Sequence, residues 1–365
     1  MNNPQDIRAT RGLGGGSGLG GGSGLGGGSG LGGGGELGHT GSGQFPERRM
    51  RRLRRSTPLR DLLSETSLTT HDMVFPLFVR EDIDSPIPIA TLPGHLQHTV
   101  QSAVEKCRKL VSLGIPGVIF FGIPANKDPQ GTGAWDPSGI VQMAIYRTRD
   151  AVGDNLVIIS DLCLDEYTSH GHCGVLDSRG QVENDTTLEL YQKIAISQAR
   201  AGADMLAPSG MMDGQVSAIR SALDTSGFTE TAILAYAAKY ASSLYGPFRD
   251  AVNVHISGDR KSYQEDIRNA HEAILETTLD IAEGADIVMV KPAISYLDVI
   301  ARISSITHVP VAAYQVSGEY SMIKAAGERG WIDADAVMLE QLISIKRAGA
   351  RFIVTYAAED VAKIL

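Results

Sequence analysis

At 365 residues, 42% of them hydrophobic and 21% charged, the chain is long enough to bury a substantial core. Its formal net charge of −9 argues against a general binder of nucleic acid or anionic membrane. No run approaches the ~20 apolar residues of a membrane span, and the first residues carry no apolar leader, so a cytoplasmic protein with no membrane or nucleic-acid partner is expected.

Residues 1–44 are a low-complexity tail in which Gly-Leu-Gly-Gly-Gly-Ser repeats from Gly12, with leucines at Leu13, Leu19, Leu25 and Leu31. Such a segment buries too little apolar surface to offset its ordering entropy, so a flexible coil is expected. It is not a phosphate-binding loop: no strand pattern precedes it and no Gly-Lys-Ser/Thr occurs. An arginine cluster follows, Arg48, Arg49, Arg51, Arg52, Arg54 and Arg55. With an acidic remainder, it reads better as an N-terminal arm (residues 45–69) packing on a neighbouring subunit than as a nucleic-acid patch.

From residue 70 to the end, short apolar runs alternate with helical patterns. Eight strands are predicted, at 73–79, 117–123, 156–162, 205–209, 232–238, 287–292, 309–316 and 352–356, with helices filling gaps such as 187–201, 214–224, 265–283 and 335–348. Gly202, Gly284 and Gly349 each stand between a helical pattern and a strand, as glycine C-caps do. Eight β/α units in about 290 residues fit an α/β fold of the (β/α)8, or TIM-barrel, type. An open doubly wound sheet would usually carry a glycine fingerprint after its first strand, and none is present.

In such barrels the chemistry lies at the C-terminal ends of the strands. Lys239 follows the fifth run and Lys291 closes the sixth, so the two amines come from neighbouring strands. Burial and a second ammonium both lower a lysine's pKa, and a neutral lysine forms imines with ketones. Covalent amine chemistry is therefore expected. A lone strand-end lysine is more often a salt-bridged rim residue; two on adjacent strands need some compensating use.

After the third run comes Asp161-Leu-Cys163-Leu-Asp165-Glu-Tyr-Thr-Ser-His170-Gly-His172-Cys173. Two thiols and a carboxylate on one loop can wrap a divalent ion with a coordination position left open. The sulfurs favour Zn2+, while Asp165 pulls toward harder ions such as Mg2+. His170 and His172 read equally as ligands or as hydrogen-bonded loop residues. Cys107, within a helical pattern, is expected as an apolar filler, and three cysteines make no disulfide framework. The long segment after Lys239, with Tyr240, Tyr245, Arg249, Gly258, Arg260 and Gln264, has the composition of a lid over an anionic substrate.

The strings DLCLDEYTSHGHCG, APSGMMDGQV, AYAAKYASSLYGPFRDA, GDRKSYQ, VMVKPA and YQVSGEY resemble the porphobilinogen synthase (δ-aminolevulinic acid dehydratase) family over about residues 46–365. The resemblance implies a lyase that condenses two 5-aminolevulinate molecules to porphobilinogen with loss of two waters in heme biosynthesis, usually as a homo-octamer. It implies a Schiff base at Lys291 for one substrate and a corresponding role for Lys239 toward the second. Arg249 and Arg260, with Gln264, resemble the groups holding one substrate carboxylate; Ser317 and Tyr356 resemble the pair holding the other. Asp161 and Ser209 match polar residues of the pocket. Three-cysteine zinc members carry cysteine where this chain has Asp165, which leaves zinc or magnesium open at Cys163, Asp165 and Cys173. Glu276 aligns with a glutamate at a remote, allosteric magnesium site. A Schiff-base aldolase on the same barrel is the runner-up; it needs only one lysine and no thiol loop.

Overall fold

The computed structural model describes residues 45–256 and 258–365; the glycine-rich segment 1–44 lies outside them. The chain divides into two compact units, one ending at Leu63 and the other running from Ser64 to Leu365. In the first, a 3-10 turn at Met50–Arg54 precedes a short helix at Thr57–Leu62 with proline in its first turn, where the missing N–H costs nothing. Neither element buries a residue.

The second unit is a closed parallel barrel. Its strands are β1 Met73–Arg80, β2 Gly117–Ile123, β3 Val157–Leu162, β4 Met205–Pro208, β5 Ala232–Lys239, β6 Ile287–Lys291, β7 Val311–Gln315 and β8 Phe352–Thr355, each pairing with the next. Closure comes from β8 on β1, with Met73 opposite Ile353 and Val74 opposite Val354. The strands read as near-continuous apolar runs because both faces are covered; all of β2 is buried. Among the described residues no helix is long and apolar enough to cross a membrane.

The longer helices between the strands are α1 Val100–Ser112, α2 Ile140–Val152, α3 Asn184–Ala201, α4 Gln215–Thr225, α5 His271–Ala282, α6 Leu297–Ile306, α7 Ser317–Glu328 and α8 Ala334–Arg347. The predicted helix over 265–283 begins six residues late. Glu265 N–H donates to the Lys239 carbonyl and Ala241 N–H to the Glu265 carbonyl, so Glu265 is held extended beside β5 and cannot enter a helix. A two-strand ribbon, Ile87–Pro88 against Leu96–His98, extends the sheet from β1. Its strands are too short to carry a period, and the sequence did not announce it.

The glycine caps hold in the structure: Gly202, Gly284 and Gly349 take φ of +104, +107 and +117°, which only glycine adopts readily. At Gly349 a Cβ would also collide with the Ser304 hydroxyl. Gly349→Ala is expected to cost about 1–3 kcal/mol of stability, read as a lower urea midpoint; an unchanged midpoint would contradict this account of how α8 hands over to β8.

Candidate active site

Lys239 and Lys291 are direct partners across β5 and β6, which puts their Cα atoms about 4.8 Å apart. Both side chains are buried. Burial pushes the Lys291 amine from 10.5 down to about 7, and the Lys239 ammonium adds to the fall. Aromatic faces surround Lys291 Nζ: Tyr314 at 4.5 Å, Tyr236 at 5.0 Å, Phe248 at 5.2 Å and Tyr245 at 5.3 Å from the ring centres. Lys239 Nζ also lies over Tyr236, at 5.6 Å from its centre, and donates to the Ser209 carbonyl.

Of those rings only Tyr245 was named from the sequence, as part of the lid; Tyr236, Phe248 and Tyr314 were not singled out. Simple alternation puts Tyr236 and Lys239 on opposite faces of β5, but the register slips between Ala235 and Ala238 and turns both toward the barrel axis. The alternating run itself gave no sign of the bulge.

Three buried carboxyl groups face the lysines. Asp161, near the end of β3, accepts from the Ser209 hydroxyl at 3.2 Å. Burial and the Asp165 charge lift it to about 7, against the pull of Lys239 and Lys291. Asp165 behaves oppositely: burial would raise it, but the Arg260 guanidinium and the Lys239 ammonium outweigh burial and hold it well below the usual carboxylate range. Arg260 donates to Asp165 at 2.8 Å and to the Gly171 carbonyl at 2.8 Å. Glu166, also missed by the sequence reading, is pushed well above the carboxylate range by burial and by Asp165 and Asp161. Its signal was only its place beside Asp165.

The loop after β3 folds Cys163, Asp165 and Cys173 together, with one ligand atom of each within 4.8 Å of the others. All three are buried. A hydrogen bond from Cys163, then the Arg260 charge, lowers the Cys173 thiol to about 7 against burial, while burial and its neighbours push Cys163 well up. The Tyr191 hydroxyl donates to the Cys173 carbonyl at 2.7 Å and fixes the loop. A thiol ready to ionise, an ionised carboxylate and a second thiol, closed off from bulk water, fit a divalent metal. Among the described residues neither histidine joins this cluster. His170 Nε2 lies 3.1 Å from the Pro129 carbonyl, and His172 Nδ1 lies 3.2 Å from the Tyr263 hydroxyl.

The segment after Lys239 covers this pocket. Arg249, half-buried, lines the same cavity as Arg260, Asp161, Ser209 and the lysines. The space left between these side chains is only about 10 Å³, roughly the room one water needs. Tyr263 accepts from the Cys173 N–H at 3.5 Å, so the lid and the thiol loop clasp each other. Lys127 Nζ donates to the Val252 and Asn253 carbonyls at 3.3 and 3.1 Å, and Gln97 to the Ala251 carbonyl at 2.7 Å; these bonds tether the base of the lid.

On the opposite wall the Tyr356 hydroxyl lies 3.1 Å from that of Tyr314. Buried Ser317 accepts from the Phe248 N–H at 3.0 Å. Gln264 and Glu276 are not brought to the lysines. They line an adjoining cavity with Asp213, Glu265 and Glu272. There the Gln264 side-chain nitrogen has no hydrogen-bond partner, and burial with Asp213, Glu283 and Glu272 raises Glu276.

Comparison with known proteins gives one consistent result. The family model for delta-aminolevulinic acid dehydratase matches residues 47–364. The delta-aminolevulinic acid dehydratase of Streptomyces coelicolor is 54% identical over 328 residues, covering 89% of this chain and 99% of that protein. That of Synechococcus elongatus is 54% identical over 325 residues, 88% and 99% of the two chains. Among solved structures, the Toxoplasma gondii delta-aminolevulinic acid dehydratase (porphobilinogen synthase), in complex with its reaction product porphobilinogen, superimposes with a TM-score of 0.85 at 42% identity, covering 87% of this chain and 91% of that one.

The Lys291 environment predicts the pH dependence of its reactivity. Trapping of a simple keto acid such as levulinate with cyanoborohydride, mapped by peptide mass, should rise through a midpoint near pH 7 rather than near 10.5. Below that midpoint Lys291 is an ammonium without a lone pair. Lys239→Met removes one of the causes and should move the midpoint upward; a wild-type midpoint near 10 would refute the assignment.

Proposed function

The chain belongs to the delta-aminolevulinic acid dehydratase family, and from that premise we propose how its residues divide the work of the family's lyase reaction. The protein condenses two 5-aminolevulinate molecules to porphobilinogen with loss of two waters, a step of heme biosynthesis. The observation that carries the division of labour is the in-register lysine pair.

Lys291 is assigned to the first substrate. Its neutral amine adds to the ketone carbon, and the ketone oxygen leaves as water when the imine forms. Lys239 does the same for the second substrate, which accounts for the second water. Each imine withdraws electrons from its carbon neighbour, and Asp161, lifted to about 7, is suited to take a proton there near neutral pH. The carbon nucleophile so formed on one substrate attacks the imine carbon of the other. Loss of a proton across the new carbon–carbon bond expels the lysine from the attacked carbon. The amino group of the first substrate displaces the other lysine at its imine carbon, and loss of a last proton completes the aromatic ring.

Arg249 and Arg260 are assigned to the second substrate's carboxylate, and Ser317 and Tyr356 to the first's. Ser209 positions Asp161 through its hydroxyl. We keep Gln264 as a lid residue that reaches the substrate only if the lid shifts, since in this structure it faces the adjoining cavity. So small a space between the lysines also requires the clasp of Arg260 and Tyr263 on the thiol loop to open for substrate entry.

We assign Zn2+ to Cys163, Asp165 and Cys173 on the softness of two sulfurs; when bound it supplies Lewis acidity beside the second substrate. An activating Mg2+ is assigned to the Glu276 cluster, where mutual repulsion of carboxylates favours a cation. A cytoplasmic homo-octamer, with the arginine arm of each chain on a neighbour, completes the reading. The aldolase alternative has no use for the second lysine and the thiol loop.

Two experiments test this. Lys291→Met should lower pyrrole formation from 5-aminolevulinate by at least about 10³-fold, with no adduct trapped by borohydride. Lys239→Met should still trap one substrate at Lys291 yet make no porphobilinogen; normal turnover in either variant would overturn the scheme. Separately, chelation should remove zinc and activity together, with zinc restoring both. Cys173→Ser should hold zinc at least about 10-fold more weakly by metal analysis, and full recovery with magnesium alone would reassign the loop.

A further inference from the structure

We propose that Glu166 is a direct ligand of the loop's divalent cation, forming with Asp161 and Cys163 a second seat that overlaps the Cys163, Asp165 and Cys173 seat. The inference rests on the reading above that this loop holds a divalent ion. Ligand atoms of Asp161, Cys163 and Glu166 lie within 4.8 Å of one another, as close as those of the first set, and all three residues are buried.

Two oxygens of this triad have nothing to bind. Glu166 Oε1 and Asp161 Oδ1 are buried without a hydrogen-bond partner, in side chains only 2% and 7% exposed. A buried acceptor left unsatisfied is costly, and an ion bound by these oxygens would remove that cost.

Asp165 is meanwhile committed elsewhere, its carboxylate being gripped by Arg260 at 2.8 Å. With the lid closed, that ion pair competes with any metal for Asp165. Glu166, the next residue, shares a hydrogen bond with Asp165 but keeps one oxygen without a partner and is not held by Arg260. Because Cys163 belongs to both seats, an ion passing between them exchanges Asp165 and Cys173 for Glu166 and Asp161 while one sulfur stays bound. Asp161 and Glu166 of the second seat line the same cavity as the lysine pair. The chain thereby offers two hard oxygens and one sulfur in one seat and the reverse in the other.

Cobalt(II) reports coordination directly, through thiolate charge-transfer bands and visible d–d bands. The full-length enzyme, stripped of metal, is titrated with Co2+ as wild type, Glu166→Gln and Cys173→Ser, with circular dichroism as the folding control. The wild type should develop a thiolate band; if it does not, the cation reading of the loop fails and this inference with it. Glu166→Gln should bind Co2+ at least about 10-fold more weakly, with altered d–d intensity. Cys173→Ser should keep a weaker, single-thiolate band from the second seat. Unchanged affinity in Glu166→Gln, or weaker binding with an unaltered spectrum, or complete loss of cobalt binding in a folded Cys173→Ser, would each overturn the proposal while leaving the wild-type cation site standing.

Discussion

Everything in this pocket answers to one repulsion, that between two ammonium groups set side by side on adjacent strands. At roughly 5 Å and an effective dielectric near 20, two unit charges repel by on the order of 3 kcal/mol, worth about two pKa units. Burial acts in the same direction and is the larger cause at Lys291. Together they are enough to keep that amine half unprotonated near neutrality. The surroundings are arranged around this outcome: aromatic faces stabilise whichever charge remains, and Asp161 and Asp165 supply negative charge at short range.

The barrel makes the repulsion available. Parallel strands in register fix the two side chains at strand spacing without a linker. The apolar runs of β5 and β6 supply the low-dielectric floor. The same closure places the loop after β3 and the segment after β5 on one mouth, so an acidic, thiol-bearing loop and a cationic lid meet over the amines.

How much of this was legible depends on range. The strands were readable to within a residue or two because a strand covered on both faces writes itself as a short apolar block. The caps were readable because glycine alone tolerates the backbone they need. The lysines and the thiol loop announced themselves by being polar at the ends of such blocks. Tyr236 did not, because the slip in β5 that turns it inward leaves no compositional mark. Nor did Glu166 or Tyr314, whose meaning comes from what other strands bring to them. The late start of α5 has a similar cause: a hydrogen bond from Glu265 to a residue 26 positions earlier overrides a local helical pattern. Gln264 illustrates the remaining gap, since its side chain turns to a cavity that no motif describes.

The Ser317 hydroxyl has a consequence for timing. It accepts from the Phe248 N–H, which leaves its own proton to give away. A carboxylate accepting a hydrogen bond from that hydroxyl makes the oxygen a better acceptor and so tightens its hold on the short helix Gly246–Ala251, which carries Arg249. In the proposed division of labour, Ser317 serves the first substrate and Arg249 the second. Two identical molecules would then be distinguished by order of arrival, the first making the berth for the next.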